Sequence, residues 1–281
     1  MSAGLFSLIL LAALLHAAWN FFAKRSGGGL TVLWLGAAIS TVVTLPAAIA
    51  FLWGKPVPVT GLVVASGSGV VHCVYWWALA RMYRHGDISL AYPIARGSGV
   101  LGTALGSMLL IHEPFSVAGG AGILLVCSGV FALGYQRRRE AVRTRTVLDA
   151  LLAGLTITGY SLIDDRGVER LDPTAYLAVE TGVGALLLAL AGWPRLRARI
   201  AGAYRRDWKT VWIIGIGSPL TYLIVLFAYR GGPVGYISAV REFSVVIAAL
   251  LGMRFLGERL GSARIIGIAL VVAGMVLIRI G

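Results

Sequence analysis

The chain has 281 residues, of which 58% are hydrophobic and only 13% charged, and its mean hydropathy is +0.84. A soluble domain carries about 25% charged residues, so this composition excludes an ordinary soluble fold and indicates a polytopic membrane protein. The formal net charge of +13 does not imply a nucleic-acid partner, because the basic residues lie between apolar runs and form no stripe on which a duplex could dock.

A spanning helix needs about 20 mainly apolar residues. Taken in order, ten candidates fall at approximately 3–23, 31–53, 61–80, 88–111, 117–135, 147–163, 174–193, 211–229, 234–256 and 264–280. The first lacks a basic segment ahead of its apolar run and carries His16 and Asn20, so it is expected to be a retained helix rather than a signal peptide. Lys and Arg concentrate in the loops after odd-numbered helices, above all 136–146 and 194–210. The positive-inside rule places those loops in the cytoplasm and both termini outside. The expected location is a cell membrane, the inner or plasma membrane of a bacterium, crossed many times.

In helix 1, His16, Trp19 and Asn20 share one face by their i, i+3, i+4 spacing and give an apolar helix a polar-aromatic stripe. Such a stripe faces a pore or bonds another helix. Helix 3 carries Tyr75 and Trp76 well inside its span, as helix 4 carries Tyr92, helix 6 Tyr160 and helix 8 Tyr222. These rings are candidates to line a pocket for a small amphipathic molecule, though a single buried ring also serves plain packing. Cys73 and Cys127 fall inside apolar spans with no metal-ligand spacing, so neither a disulfide, a metal site nor a cofactor is expected.

Arg96 in helix 4 is the first charge deep in hydrocarbon, where an ionised group costs at least ~2.5–3.5 kcal/mol and so faces a cavity or a partner. Glu113 follows at the end of that helix. Both recur, as Arg241 and Glu258, at a constant offset of 145 residues. Sliding Gly86–Gly134 onto Gly231–Arg279 gives thirteen identities, among them Gly122/Gly267 and Gly129/Gly274. Self-similarity of this kind marks a duplicated unit. A five-helix unit has an odd number of spans, so its second copy must enter the bilayer upside down. The expected architecture is therefore an all-α integral membrane protein of ten transmembrane helices. Two inverted five-helix repeats, residues 1–140 and 141–281, would enclose a central cavity.

Inversion places Arg96 about 12 Å deep from one face and Arg241 about 10 Å from the other, at 1.5 Å per residue. In a core of about 30 Å they straddle the midplane. Two guanidinium groups at such depths suit a carboxylate or another oxyanion. The alternative is a structural role for each, bonded to helix-end carbonyls or to a carboxylate such as Glu242. Asp164, at the margin of helix 6, Glu242 and His16 are candidate proton-coupling groups. Glu113 and Glu258 read as helix-end structure, a carboxylate beside a helix N-terminus, with Pro114 in the first turn of helix 5.

The segments HAAWNFFAK, AYPIARGSGVLGTALGSMLLIHEP and REFSVVIAALLGMRFLGER resemble the EamA-type members of the drug/metabolite transporter superfamily. The resemblance covers nearly the whole chain and implies a ten-helix basket with a central cavity, often an exporter of amino acids or related metabolites. No Walker A, G-x-S-x-G or H-E-x-x-H motif is present, and no enzyme activity is expected. The expected function is thus secondary transport of a small polar or zwitterionic metabolite, most simply export of amino-acid-like compounds by alternating access. Its partners would be that small molecule, the lipid bilayer and a proton or counter-substrate, with a monomer as a sufficient assembly. Uptake or exchange of an organic or phosphonic anion, and a non-transporting or lipid-handling subunit, are the alternatives.

Overall fold

The computed structural model describes residues 1–25, 29–56, 58–85, 88–134, 144–256 and 261–281. Glu258, one of the expected helix-end carboxylates, lies outside them. The described residues form helices and short connections, with no strand among them. In order these are α1 (Ala3–Arg25), α2 (Leu30–Leu52), α3 (Val59–His85), α4 (Ile88–Gly106), α5 (Val117–Gly134), α6 (Thr144–Gly167), α7 (Pro173–Tyr229), α8 (Val234–Arg241), α9 (Phe243–Leu256) and α10 (Ser262–Ile280). A π-helical turn, Ser107–Ile111, prolongs α4. Nine stretches among the described residues are long and apolar enough to cross a membrane, α8 and α9 counting as one. Their outward sides carry exposed apolar residues such as Leu110, Val117 and Leu190. Water would penalise such a surface; hydrocarbon does not.

Three departures from the sequence expectation have local causes. The basic stretch 194–210, expected as a loop, is helical and belongs to α7, whose 57 residues would measure about 85 Å if straight. It is not straight. Gly192 (φ −143°, ψ 18°) and Asp207 (φ −122°, ψ 22°) leave helical geometry and divide α7 into three segments. Between the breaks, arginine, alanine and leucine favour helix, and Pro194 sits in the opening turn where a missing N–H costs least. The second departure is in 234–256, which ends as α8 at Arg241 and resumes as α9 at Phe243, with Glu242 between them. The third concerns Pro114. Helix α5 starts only at Val117, so the proline lies in the linker rather than in the first turn.

Glycine sets how closely α5 and α10 approach. A Cβ on Gly122 would meet the carbonyl oxygen of Gly274 at 2.6 Å, and one on Gly274 would meet that of Gly122 at 2.5 Å. Gly129 and Gly267 face each other likewise, at 2.7 and 2.8 Å. No larger residue fits where backbone meets backbone. These contacts are reciprocal in the repeat numbering. Gly129 also meets Val271, and Gly274 meets Val126, the residue 145 positions earlier. Elsewhere α2 packs on α7, α3 and α4 on α6, and α1 on α7 and α9. Every residue of α8 is buried, which puts the Arg241 end of that helix inside the bundle.

Candidate functional site

A cavity of about 100 Å³ lies in the middle of the bundle, lined from α1, α2, α3, α4, α6, α7 and α8. Of the residues singled out in the sequence, His16, Trp19, Tyr75, Trp76, Arg96, Tyr160, Tyr222 and Arg241 line it. Asn20 and Tyr92 are not in the lining. Asn20 donates its side-chain amide to the His16 carbonyl at 2.9 Å, one turn back in its own helix, so the i, i+4 spacing that grouped the two serves an internal bond.

The two repeat-related arginines are both buried but differ in company. Arg96 forms a two-point ion pair with Glu242: Nε donates to Oε2 at 3.0 Å, and Nη2 lies 2.5 Å from Oε1. Glu242 is 1% exposed and stands at the break between α8 and α9. It therefore neutralises an arginine from the other half of the chain. Arg241 is 4% exposed and has no ion pair among the described residues. Its Nε lacks a hydrogen-bond acceptor, and its guanidinium carbon sits 6.0 Å from the centre of the Tyr222 ring. A buried guanidinium without a counter-ion is costly, so a group that brings it negative charge binds favourably. The indole N–H of Trp19, in the same lining, is likewise buried and without an acceptor.

Tyr222, whose ring meets Arg241, also bonds an acidic cluster of which the sequence pointed to only a part. Asp164, at the margin of its span by sequence, is fully buried. Its carboxylate accepts hydrogen bonds from Ser68, from Tyr222 and from Tyr176, the last at 2.8 Å. Its neighbour Asp165 is the residue that approaches Arg166, at 3.8 Å. His72 Nδ1 lies 3.2 Å from Glu180 Oε1, both side chains buried, and its ring stacks on Tyr160 with centroids 4.1 Å apart. Ligand atoms of His72, Asp164 and Glu180 all lie within 4.8 Å of one another. These are metal-ligand types, but Asp164 already receives three hydroxyl donors. A metal would have to displace them.

Two signals would have found the missed members. Ser68, His72, Tyr75, Trp76 and Leu79 follow the same one-face spacing that drew attention to helix 1. Glu180 is a lone acid seven residues into an apolar span, which the cost of charge in hydrocarbon flags directly.

Glu113 does act at a helix N-terminus, but at a different one. Its Oε1 accepts from the backbone N–H of Val234 at 3.0 Å, so it caps α8 across the bundle instead of α5 next to it in sequence. The Tyr236 hydroxyl accepts from Ser116 N–H at 3.0 Å and binds the same linker.

Residues 144–280 match the model of the EamA-like transporter family. A crystal structure of a protein 19% identical superposes over 100% of this chain and 99% of its own, with a TM-score of 0.77, which at that identity bears on the fold alone. No protein of curated function matches the sequence. The apolar helices and the family match together make this chain a multi-pass membrane transporter, and it belongs to the EamA-type transporters of the drug/metabolite transporter superfamily.

Proposed function

We propose that this transporter carries a small zwitterionic metabolite, an amino-acid-like compound, and exports it by alternating access. The observation that carries the reading is Arg241, a buried guanidinium with no ion pair among the described residues, at the wall of a central cavity. It would hold the substrate carboxylate together with the Trp19 N–H. Tyr75, Trp76, Tyr160 and Tyr222 would hold the body, and the Asp164–His72–Glu180 cluster would receive an ammonium group or a proton. His16, edge-on to Trp19 at 5.0 Å, would orient that ring. Glu242 takes a different role from proton coupling, as the fixed counter-charge of Arg96.

The architecture that goes with this reading has α7 crossing the bilayer twice, giving ten spans in two inverted repeats, 1–140 and 141–281. The reciprocal Gly122–Gly274 and Gly129–Gly267 contacts support it, because two-fold-related surfaces pair i with j and the equivalent of j with the equivalent of i. Loop charge supports a cytoplasmic position for 194–210 and external termini in an inner or plasma membrane. A clamp of two free arginines on a dianion fits less well, since Arg96 already holds Glu242.

The test is counterflow in proteoliposomes with amino acids, organic acids and cationic drugs, with and without a pH gradient. Zwitterions are expected to exchange, Arg241→Gln to abolish exchange, and Asp164→Asn to remove the response to the gradient. Exchange of zwitterions by Arg241→Gln at the normal rate would overturn the reading.

A further inference from the structure

A second and larger cavity shares no residue with the first. It measures about 890 Å³ and opens between the first turn of α2, the end of α3 and the middle segment of α7. Among the described residues four arginines line it, Arg81, Arg195, Arg199 and Arg206, and no carboxylate does. Two of them are already engaged. Arg81 pairs with Asp149 at 3.1 Å and lies over the Trp77 ring at 4.6 Å, while Arg206 donates to Asp207 at 2.8 Å. Arg195 and Arg199 have no ion pair among the described residues. They stand at i and i+4 on one helix face, where like charges repel.

The first turn of α2 adds to this positive field. Its cap is Gly29, which offers no side-chain acceptor, and the turn contains no acidic residue. The helix dipole therefore points its positive end, uncompensated, at the same basin. Apart from the arginines and Thr31, the lining is apolar or glycine, with Val32, Leu188 and Leu196 among the walls. A soluble anion has no use for such walls; an anionic amphiphile does. The middle segment of α7 has the matching form. It is offset from its neighbours by the breaks at Gly192 and Asp207. Leu196 and Ala203 are buried, Arg195, Arg197, Arg199 and Arg205 are exposed, and exposed Trp193 and Trp208 flank it. Basic amphipathic helices bounded by tryptophan lie at the headgroup level of a bilayer.

We infer that this basin is a binding site for the phosphate headgroup of an anionic phospholipid, with Arg195 and Arg199 on the phosphate and the apolar wall against the upper acyl chain. It is independent of the transported substrate.

The test uses the full chain in nanodiscs of phosphatidylcholine doped with phosphatidylglycerol, with lipid binding read by native mass spectrometry after release. Arg195 and Arg199 are exposed, so the double variant R195Q/R199Q should fold. It is expected to bind phosphatidylglycerol at least about 10-fold more weakly, from the loss of charge-assisted hydrogen bonds to the phosphate. The variant R197Q/R205Q removes the same charge outside the lining and should leave binding unchanged. Glycerol phosphate in large excess should not compete. Equal losses in both double variants, or equal retention of phosphatidylcholine and phosphatidylglycerol by the unmodified chain, would overturn the site. So would full competition by glycerol phosphate, which would make it a site for a free anion.

Discussion

Arg96 and Arg241 stand 145 residues apart at the same place in two similar stretches of sequence, are buried to the same degree, and have different partners. The difference comes from a single neighbouring position. In the first copy the residue after the arginine is Gly97, and in the second it is Glu242. Gly97 packs against Phe131, whose ring would lie 2.7 Å from an added Cβ, so this site has no room for an acid. Glu242 sits at the break between α8 and α9 and reaches Arg96 on α4. The ion pair of this one carboxylate therefore goes to the arginine in the other half of the chain. Both stretches carry the cation; the glutamate occurs in only one. The half that lacks its own acid has its arginine neutralised, and the half that has the acid keeps a bare arginine at the cavity wall.

The largest expected effect is on stability and falls on one side of the comparison only. Removing one partner of a buried ion pair strands the other, at a cost of about 3–5 kcal/mol. Glu242→Gln and Arg96→Met should each lower the thermal midpoint of the purified protein in detergent sharply. The double variant Arg96→Met/Glu242→Leu should recover most of the loss. Arg241→Met removes a charge that has no ion pair among the described residues and should leave the midpoint unchanged or raise it. Equal destabilisation by Arg96→Met and Arg241→Met would erase the distinction between them.

Next in size is the effect on ligand binding, with the order of the arginines reversed. A hydrogen bond to a charged group contributes about 1.5–3 kcal/mol, so Arg241→Gln should weaken carboxylate binding about 10- to 100-fold. Calorimetric titration of the detergent-solubilised protein with the substrate found by counterflow would measure this. The stabilised Arg96→Met/Glu242→Leu pair should bind within about 3-fold of the unmodified chain, since that pair is closed upon itself.

How much of this was legible in the sequence follows the range of each interaction. The spans, the helix 4 and helix 9 register and the cavity position of both arginines depend on local hydropathy and on spacing, which one chain displays directly. The Arg96–Glu242 pair joins residues 146 apart in sequence, and neither hydropathy nor spacing encodes which carboxylate reaches which cation. The same holds for Glu113, whose expected partner lay next to it in sequence and whose observed partner, Val234, is 121 residues away. The breaks at Gly192 and Asp207 were hidden for another reason. Arginine-rich stretches satisfy both the loop and the helix reading, and only the inward packing of Leu196 and Ala203 selects the helix.

The smallest effect tests whether the bare arginine acts alone. Trp19 Nε1 is another buried donor without an acceptor in the same lining, and Trp19→Phe removes the N–H while keeping an aromatic ring. A neutral hydrogen bond contributes about 0.5–1.5 kcal/mol, so carboxylate affinity should fall about 2- to 10-fold. A substrate lacking the carboxylate should be unaffected by the change. If Trp19→Phe weakens both substrates alike, the indole contributes through shape. The anion would then be held by Arg241 alone, and the asymmetry between the two halves would rest on one side chain.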